Sequence, residues 1–222
     1  MGGILVTIDG PAGSGKSSVA RAVAGRLGVV NLNTGAAYRA AALLALRANA
    51  DLGDGEKLAA LARRVDLDPE GASIDGERVG EPDLRSPEVS AAASKVSAHA
   101  PLREVLLPVQ RAAAQQARAE GGAVVEGRDI GTVVLPDAEL KVYLSAAPEE
   151  RARRRASQTG REGELDRIRT AIARRDRQDS EREISPLKPA ADAVVLDTTS
   201  LSLEEVISRV LELAADLREQ EA

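Results

Sequence analysis

The hydrophobic residues of the chain fall into two kinds of segment that follow one another. Short apolar runs predict strands, and they lie at 4–8, 29–32, 123–125, 140–144 and 193–196. Between them apolar residues recur at helical spacing, as in Val19, Val23 and Leu27, and Gly28 ends that predicted helix. Strands alternating with helices indicate an α/β fold, with a parallel five-stranded sheet and helices on both faces. Ligands of such sheets bind outside the carboxyl ends of the strands.

The segment that follows the second predicted strand interrupts this alternation. Its patterns predict a helix after Tyr38, a short helix over 58–65, a hairpin turn at Asp75-Gly76 and a helix capped at Ser86-Pro87. A longer helix is predicted over 101–119, and Pro108 should kink it. An antiparallel hairpin inside an α/β chain suggests an inserted subdomain within a single domain spanning 1–222.

The last helical pattern is the most regular one. Leu203, Val206, Ile207, Val210 and Leu211 form an apolar stripe with a repeat of 3.6 residues. This stripe predicts a C-terminal helix that packs against the sheet.

Composition narrows the class of protein. The chain has 222 residues, which fits one domain, and 43% of them are hydrophobic. The core must be aliphatic because Phe and Trp are absent, and the absence of Cys excludes disulfides and thiol catalysis. No apolar run of about 18 residues and no leader pattern occurs, and the net charge of −5 argues against general nucleic-acid binding. We therefore expect a cytoplasmic protein that binds neither membranes nor nucleic acid. A monomer is the expected state, although composition does not bear on it.

The first predicted strand leads into a complete phosphate-binding motif. Residues 10–17 read GPAGSGKS, which matches G-x-x-x-x-G-K-[ST] at every fixed position, with a strand before and a helix after. The glycines let backbone N–H groups turn toward an anion, and the helix adds its positive end. Lys16 would reach the β- and γ-phosphates, and the Ser17 hydroxyl would hold Mg²⁺. The sequence therefore predicts binding of a nucleoside triphosphate.

A second charged segment lies between Arg151 and Arg182. Arginines outnumber carboxylates there, and lysine is absent. A solvated helix face accounts for most of these residues, but the forked guanidinium group is also what phosphate recognition prefers. Arg151 and Arg155 stand four residues apart on one predicted helix face. We expect a helical lid over about 151–185 that brings arginines to phosphates.

Several stretches together narrow the class further. IDGPAGSGKSSVARAVAGRLG, NTGAAYRAAALLALRA, LRSPEVSAAASKVSAHAPLRE, EGRDIGTVVLPDAELKVYLSAAPEERARRRA and SPLKPAADAVVLDTTSLSLEEV resemble the bacterial cytidylate kinases, which are P-loop nucleoside monophosphate kinases. The resemblance extends from Ile4 to about Leu213. It implies that 34–101 is a monophosphate-binding insertion and that the arginine-rich segment is the lid.

The resemblance also implies roles for individual residues. ATP would bind to Gly10, Pro11, Ala12, Gly13, Ser14, Gly15, Lys16, Ser17 and Ser18, with Arg151 and Arg155 from the lid. Lys16, Arg128, Arg155 and Arg182 would stabilise the transferring phosphoryl group. CMP or dCMP would bind to Thr34, Tyr38, Arg39, Arg85, Ser94, Arg103, Arg128, Asp129, Arg175, Asp179 and Arg182. Within that set, Arg39, Arg128 and Arg182 would clamp the monophosphate, Ser94, Arg103 and Asp129 would read cytosine, and Arg175 and Asp179 would hold the ribose.

The implied reaction is transfer of the γ-phosphoryl group of ATP to CMP. Glu126 would orient Mg²⁺ through water beside Ser17. The sequence departs from the family pattern at two places. Asn33 stands where the family usually has aspartate, and the lid is shorter between Ser157 and Leu165.

Alternatives remain open at this level. A switch GTPase is disfavoured because no Asn-Lys-x-Asp tetrad occurs. A P-loop kinase of another small metabolite and a non-catalytic nucleotide-binding module are the two rivals. His99 is interpreted as solvated. The run 193–197, which ends in Asp197, is interpreted as a buried strand with a polar end, since Glu126 already fills the acidic role.

Overall fold

The computed structural model describes residues 3–220. In chain order its elements are β1 (Ile4–Asp9), α1 (Lys16–Leu27), β2 (Val30–Asn33), α2 (Gly35–Arg47), α3 (Gly55–Ala62), β3 (Val65–Asp68), β4 (Gly71–Ile74), β5 (Glu77–Arg78), α4 (Glu81–Leu84), α5 (Pro87–Val96), α6 (Ala100–Ala119), β6 (Gly122–Glu126), a π-helix (Ile130–Val134), β7 (Leu140–Ser145), α7 (Pro148–Thr159), a 3₁₀ turn (Glu162–Glu164), α8 (Leu165–Ser180), β8 (Val194–Asp197) and α9 (Leu203–Gln220). These elements form two compact units, Met1–Asn31 with Gly121–Ala222, and Leu32–Glu120. We call them unit 1 and unit 2.

The main sheet has five strands in the order β2-β6-β1-β7-β8, which confirms the predicted parallel α/β fold. The neighbours of β1 are both parallel to it, with Ile8 opposite Glu126 on β6 and opposite Val142 on β7. The division between the two units falls inside β2. Because β1 is central, its carboxyl end delivers the loop at 10–15 to the middle of the sheet edge.

The core of unit 1 explains why these segments fold as strands and helices. Val6 and Ile8 of β1 are fully buried, and they lie in one cluster with Val19 and Val23 of α1 and Val210 of α9. Each such side chain contributes about 1.5–3 kcal/mol when it is removed from water. The cluster contains aliphatic residues only, as the composition predicts.

Two predicted apolar positions are more exposed than the pattern suggests. Leu203 begins α9 and is 50% exposed, so it does not belong to the buried stripe of that helix. The prediction that β8 is buried is also wrong, because Val195 is 56% exposed. The physical reason is that β8 lies at one end of the strand order, where fewer neighbours cover it.

Unit 2 places helices beside a small antiparallel sheet, β3-β4-β5. The predicted hairpin is present, with Asp75 and Gly76 at φ values of 52° and 81°, which is typical of a type I′ turn. The helix predicted over 58–65 ends earlier, at Ala62. Val65 begins β3 instead, where it is buried and pairs with Ile74 of β4. The cap at Ser86 is confirmed, since its hydroxyl accepts the N–H of Val89 at 3.3 Å.

The arginine-rich segment folds as α7 and α8, which pack on each other. Ala152 and Ala156 of α7 meet Ile168 and Ile172 of α8 in a small separate core, and Ala12 packs against it. Pro108 lies inside α6, and the kink expected there stays a prediction. Within residues 3–220 no helix combines the length and the apolar character needed to cross a membrane.

Candidate active site

The loop between β1 and α1 needs glycine for two different reasons. Gly10, Gly13 and Gly15 have φ values of 150°, 76° and 90°, a region that other residues rarely adopt. A Cβ atom on Gly10 would lie 2.2 Å from the Leu144 carbonyl oxygen, and one on Gly13 would lie 2.7 Å from the Arg151 carbonyl oxygen. Close approach of β7 and α7 therefore adds a packing requirement to the conformational one at both positions.

Lys16 lies over this loop, in surroundings that disfavour its charged form. Its Nζ donates to the Pro11 carbonyl at 2.7 Å and is 3.5 Å from the Ser14 hydroxyl. Burial, together with repulsion from Arg128, lowers the pKa of Lys16 to about 7, although Glu126 acts in the opposite direction. A phosphate anion at the loop would restore the charged form.

Ser17 and Glu126 lie together at the carboxyl end of the sheet. The Ser17 hydroxyl donates to the buried Glu126 carboxylate at 2.7 Å, joining the start of α1 to the end of β6. A hydroxyl and a carboxylate oxygen are ligands of the kind that Mg²⁺ prefers. The donor set therefore fits the metal expected at this position.

Asp9, the last residue of β1, also has a place in this site that sequence reasoning missed. It is buried, and its two carboxylate oxygens accept the N–H groups of Ile130 at 2.9 Å and Gly131 at 2.8 Å. Burial raises the pKa of Asp9 to about 6, and the two backbone donors counteract part of that rise. An acid at the end of the central strand, directly before the phosphate loop, was the available signal.

Arg128 and three predicted substrate residues form one charged cluster. The Arg128 guanidinium donates to the Gly10 carbonyl at 2.8 Å and lies 3.3 Å from the Asp179 carboxylate. Arg175 and Arg182 lie 3.9 Å and 3.8 Å from the same carboxylate. Burial, and then the charge of Arg175, lower the pKa of Arg128. Asp179 is thus the common anion of three arginines, which suits a site that must receive further negative charge.

Arg151 of α7 and Asp176 of α8 fasten these two helices to the loop at 10–15. Arg151 donates to the Ala146 carbonyl at 2.9 Å and the Ala12 carbonyl at 3.1 Å, and it pairs with Asp176. Asp176 in turn accepts the N–H of Ala12 at 3.0 Å. Sequence reasoning missed Asp176, because nothing in its local pattern links it to a residue 164 positions away.

Arg155 is in a different environment from Arg151 despite the shared helix. Its side chain is exposed and donates to Gln158 at 2.9 Å on the same helix. Arg151, by contrast, is buried among protein groups. The spacing of four residues thus did not give the two arginines equivalent surroundings.

The predicted residues of unit 2 lie on α2, α4, α5 and α6 and next to them. Thr34 precedes α2, Tyr38 and Arg39 are in its first turns, Arg85 follows α4, Ser94 is on α5 and Arg103 is in the first turn of α6. Arg103 is buried, donates to the Ser97 carbonyl at 3.1 Å, and has its guanidinium carbon 5.3 Å from the centre of the Tyr38 ring. This cation–π contact brings two predicted nucleoside residues together. Arg85 forms an ion pair with Glu81 on the surface.

Two residues set aside at the sequence level have structural roles. His99 is partly exposed, as its interpretation as solvated implies, and its Nε2 also lies 2.9 Å from the Leu52 carbonyl, a contact that the sequence did not predict. Asp197 is exposed and accepts the N–H of Thr199 at 2.9 Å and its hydroxyl at 2.6 Å. Asp197 thus stabilises the turn after β8.

A parallel sheet whose central strand ends in a glycine-rich loop, with lysine, serine and a buried acid around it, defines the nucleotide-binding core of a P-loop protein. A family model described as cytidylate kinase matches residues 6–216. The chain belongs to the cytidylate kinase family.

Curated relatives of this family match nearly the whole chain. A cytidylate kinase from Rhodococcus opacus (strain B4) is 48% identical, and the match covers 94% of this chain and 93% of the relative. A cytidylate kinase from Desulfitobacterium hafniense (strain Y51) is 46% identical over 96% and 93% of the two chains. Among solved structures, TT1252 from Thermus thermophilus aligns with 97% of this chain and 98% of its own at 21% identity, with a TM-score of 0.47.

Proposed function

We propose that this protein transfers the γ-phosphoryl group of ATP to CMP and to dCMP, giving ADP and the cytidine diphosphate. Membership of the family across residues 6–216 supports this proposal. The observation that carries it is the convergence of Lys16, Ser17, Glu126 and Arg128 around the loop at the carboxyl edge of the sheet. Such an arrangement holds phosphates on one side and neutralises transferring charge on the other.

The donor phosphates are proposed to bind to the loop from Gly10 to Ser18. Lys16 would contact the β- and γ-phosphates, and its Nζ now lies against Pro11 and Ser14, within reach of the loop interior. Ser17 would hold Mg²⁺ and Glu126 would orient it through water, and the ion would supply charge neutralisation when bound. The contacts of Arg151 fix the loop backbone, so its effect on ATP would pass through Ala12.

The acceptor is proposed to bind through residues of the Asp179 cluster and of unit 2. In unit 1, Arg128 and Arg182 would hold the monophosphate, Asp129 would accept the cytosine amine, and Arg175 and Asp179 would hold the ribose. In unit 2, Arg39 would hold the monophosphate, Ser94 and Arg103 would contact the base, and Thr34, Tyr38 and Arg85 would lie near the nucleoside. Forked donors suit a phosphate dianion, and a carboxylate suits an exocyclic amine.

The proposed chemistry needs no protein base. The nucleophile is an oxygen of the CMP phosphate, which is already anionic near neutral pH. The protein then contributes positioning and neutralisation of charge on the transferring group. Lys16, Arg128, Arg155 and Arg182 are the proposed cationic groups.

A panel of acceptors tests the proposal. The protein is incubated with Mg·ATP and CMP, dCMP, UMP, AMP or GMP, and diphosphate product is measured. CMP and dCMP are expected to give the highest kcat/KM. Activity with none of the five would refute the proposal and would favour a kinase of another metabolite or a non-catalytic binding module.

A further inference from the structure

Asp9 connects the loop proposed to bind the phosphate donor with the segment that carries two residues proposed to bind the acceptor. It is the residue before Gly10, where the donor loop begins, and it accepts two consecutive N–H groups from the segment that follows Arg128 and Asp129. Those two donors, on Ile130 and Gly131, are the first residues of the π-helix. A π-helix is rare, and its first N–H groups have no partner within it.

Two further bonds join the same two segments. The Gly127 N–H donates to the Ile8 carbonyl at 3.1 Å, and the Arg128 guanidinium donates to the Gly10 carbonyl at 2.8 Å. Residues 8–10 are therefore linked to residues 127–131 at four points, of which Asp9 provides two. Asp9 is the one whose side chain makes these links, whereas residues 8 and 10 use their backbone.

The space around this connection leaves little freedom. A Cβ atom on Gly131 would lie 3.0 Å from the Thr7 hydroxyl and 3.3 Å from two carbons of the buried Lys141 side chain. Residues 130–131 therefore pack against side chains of β1 and β7 and are also hydrogen-bonded to Asp9 at the end of β1. Movement of the segment in either direction would displace Arg128 and Asp129, which immediately precede it.

Burial of a carboxylate is costly unless it gains hydrogen bonds. Here the cost is visible in the raised pKa of Asp9, so this residue is not chosen for stability alone. An acid that accepts two adjacent N–H groups does, however, fix a backbone more exactly than an apolar side chain would.

We propose that Asp9 is a positioning residue that aligns the acceptor segment carrying Arg128 and Asp129 with the donor loop that begins at Gly10. The inference rests on the proposed kinase activity. Asp9 acts through backbone N–H groups, without contact to either substrate. Its loss would misplace the phosphate acceptor relative to the donor, which lowers kcat more than it weakens the binding of either nucleotide. A displacement of about 1 Å in such a site can cost about 100-fold in rate.

The test compares Asp9→Asn with a matched control, Thr7→Val, in the full chain. Asn keeps the shape of Asp but presents an NH₂ group to one of the two N–H donors. Thr7 is buried two residues earlier on the same strand, and its hydroxyl has no hydrogen-bond partner among the described residues. We expect Asp9→Asn to lower kcat for CMP by at least about tenfold, with KM values and nucleotide dissociation constants changed less than about threefold. Thr7→Val should keep kcat within about twofold.

Hydrogen exchange supplies a second measurement that does not depend on activity. In the wild-type protein the Ile130 and Gly131 amides should be protected, and in Asp9→Asn they should exchange at least about tenfold faster while Val124 stays protected. Unprotected Ile130 and Gly131 amides in the wild-type protein would overturn the inference, even where the variant fails to fold.

The possible failures are distinguishable. A wild-type protein inactive on all five nucleotides refutes the kinase proposal, whereas the exchange measurement still decides whether Asp9 fixes the segment. An active wild-type protein with a normal kcat in Asp9→Asn refutes the positioning role. Loss of nucleotide binding in a folded Asp9→Asn protein also refutes it, since positioning predicts a defect in kcat.

Discussion

At the scale of single residues, the site concentrates charge where water is scarce. Asp9, Glu126 and Asp129 are buried, and the pKa values of Asp9 and Lys16 move toward neutrality. Shifts of this kind cluster at functional sites because the groups are held for a ligand and not for stability. In this protein they have two measurable consequences.

The first concerns proton uptake when ATP binds. Because the pKa of Lys16 is lowered to about 7 without ligand, part of the population is neutral above that pH, and a bound phosphate restores the ammonium form. We expect the proton uptake by Lys16 per bound ATP to be small at pH 6 and to rise through pH 7 toward one proton at pH 8. Calorimetric titrations in buffers of different ionisation enthalpy measure it. Uptake that does not change with pH would contradict this prediction.

The second concerns stability against pH. The pKa of Asp9 is about 6 in the folded protein against 3.8 as a free side chain, so the folded state binds this proton more tightly. Its stabilising effect is complete below the unfolded value and is lost as the pH rises through 6. Between pH 5 and pH 7.5 the free energy of unfolding of the wild-type protein should fall by about 1.4 kcal/mol relative to that of Asp9→Asn. Urea unfolding of both proteins at the two pH values measures this difference, and a constant gap would show that Asp9 does not titrate there.

The sequence predicted single residues well where a motif is local. The glycines of the loop, Lys16 and Ser17 follow from eight consecutive positions, and all of them lie together in the structure. Asp176 and the bonds of Asp9 could not be predicted in this way, because their partners come from segments more than 100 positions away. The contact of His99 could not be predicted either, because its partner is on a different loop 47 positions away.

At the scale of elements, α7, α8 and the connection between them carry charged residues in opposite surroundings. Arg151 is buried and, together with the partly exposed Asp176, contacts the loop at 10–15, whereas Arg161, in the connection between the two helices, is exposed and paired with Glu164. The sequence predicted an arginine-rich helical segment here. It could not show which arginines face the loop, since a helix repeat alone does not fix which side packs on its neighbour.

Arg182 and Arg161 form a matched pair for testing the proposed lid. Arg182 is nearly buried beside Asp179 and donates to the Ser185 carbonyl at 2.6 Å. We expect Arg182→Ala to lower kcat by about 10³-fold, because a cation on the transferring group is lost, while Arg161→Ala keeps it nearly unchanged. Steady-state kinetics with CMP measure both. Near-normal turnover in Arg182→Ala would show that this arginine does not act on the reaction.

Asp176 offers a test of how the loop is held. Replacing it with Ala removes the acceptor of the Ala12 N–H and the ion-pair partner of the buried Arg151. A loss of about 1–3 kcal/mol in unfolding free energy is expected. Asp166→Ala, which removes an exposed acid at the start of α8, is the control and should stay within about 0.5 kcal/mol. Urea denaturation of both variants measures the contrast, and equal losses would argue against a special role for Asp176.

At the scale of the whole molecule, the order of elements could be predicted more fully than their limits. The parallel sheet, the hairpin of unit 2 and the helical character of the arginine-rich segment follow from periodicity and turn residues. The end of α3 at Ala62 and the exposure of β8 do not, because they depend on what packs against each segment. Function follows from the motifs only with the family relationship, since the loop at 10–17 is shared by many chemistries.

Ligands should stabilise the whole protein in the order of their proposed affinity. A nucleotide present at 100 times its dissociation constant adds about 2.7 kcal/mol to the unfolding free energy. For a chain of 222 residues this corresponds to a rise of about 5–10 °C in Tm. Thermal unfolding with CMP, dCMP and UMP measures it, and at equal concentration UMP should give the smallest rise. A UMP shift equal to that of CMP would contradict the proposed base preference.

The exposed valines of β8 carry a consequence for handling the protein. Val194 and Val195 are 39% and 56% exposed on a strand at the outer end of the sheet order. Terminal strands with apolar side chains are the places where partly opened copies stack into insoluble material. In heated or concentrated samples we expect aggregation to begin by pairing of this strand between copies of the chain. A Val195→Lys replacement would delay the onset of turbidity while leaving turnover intact.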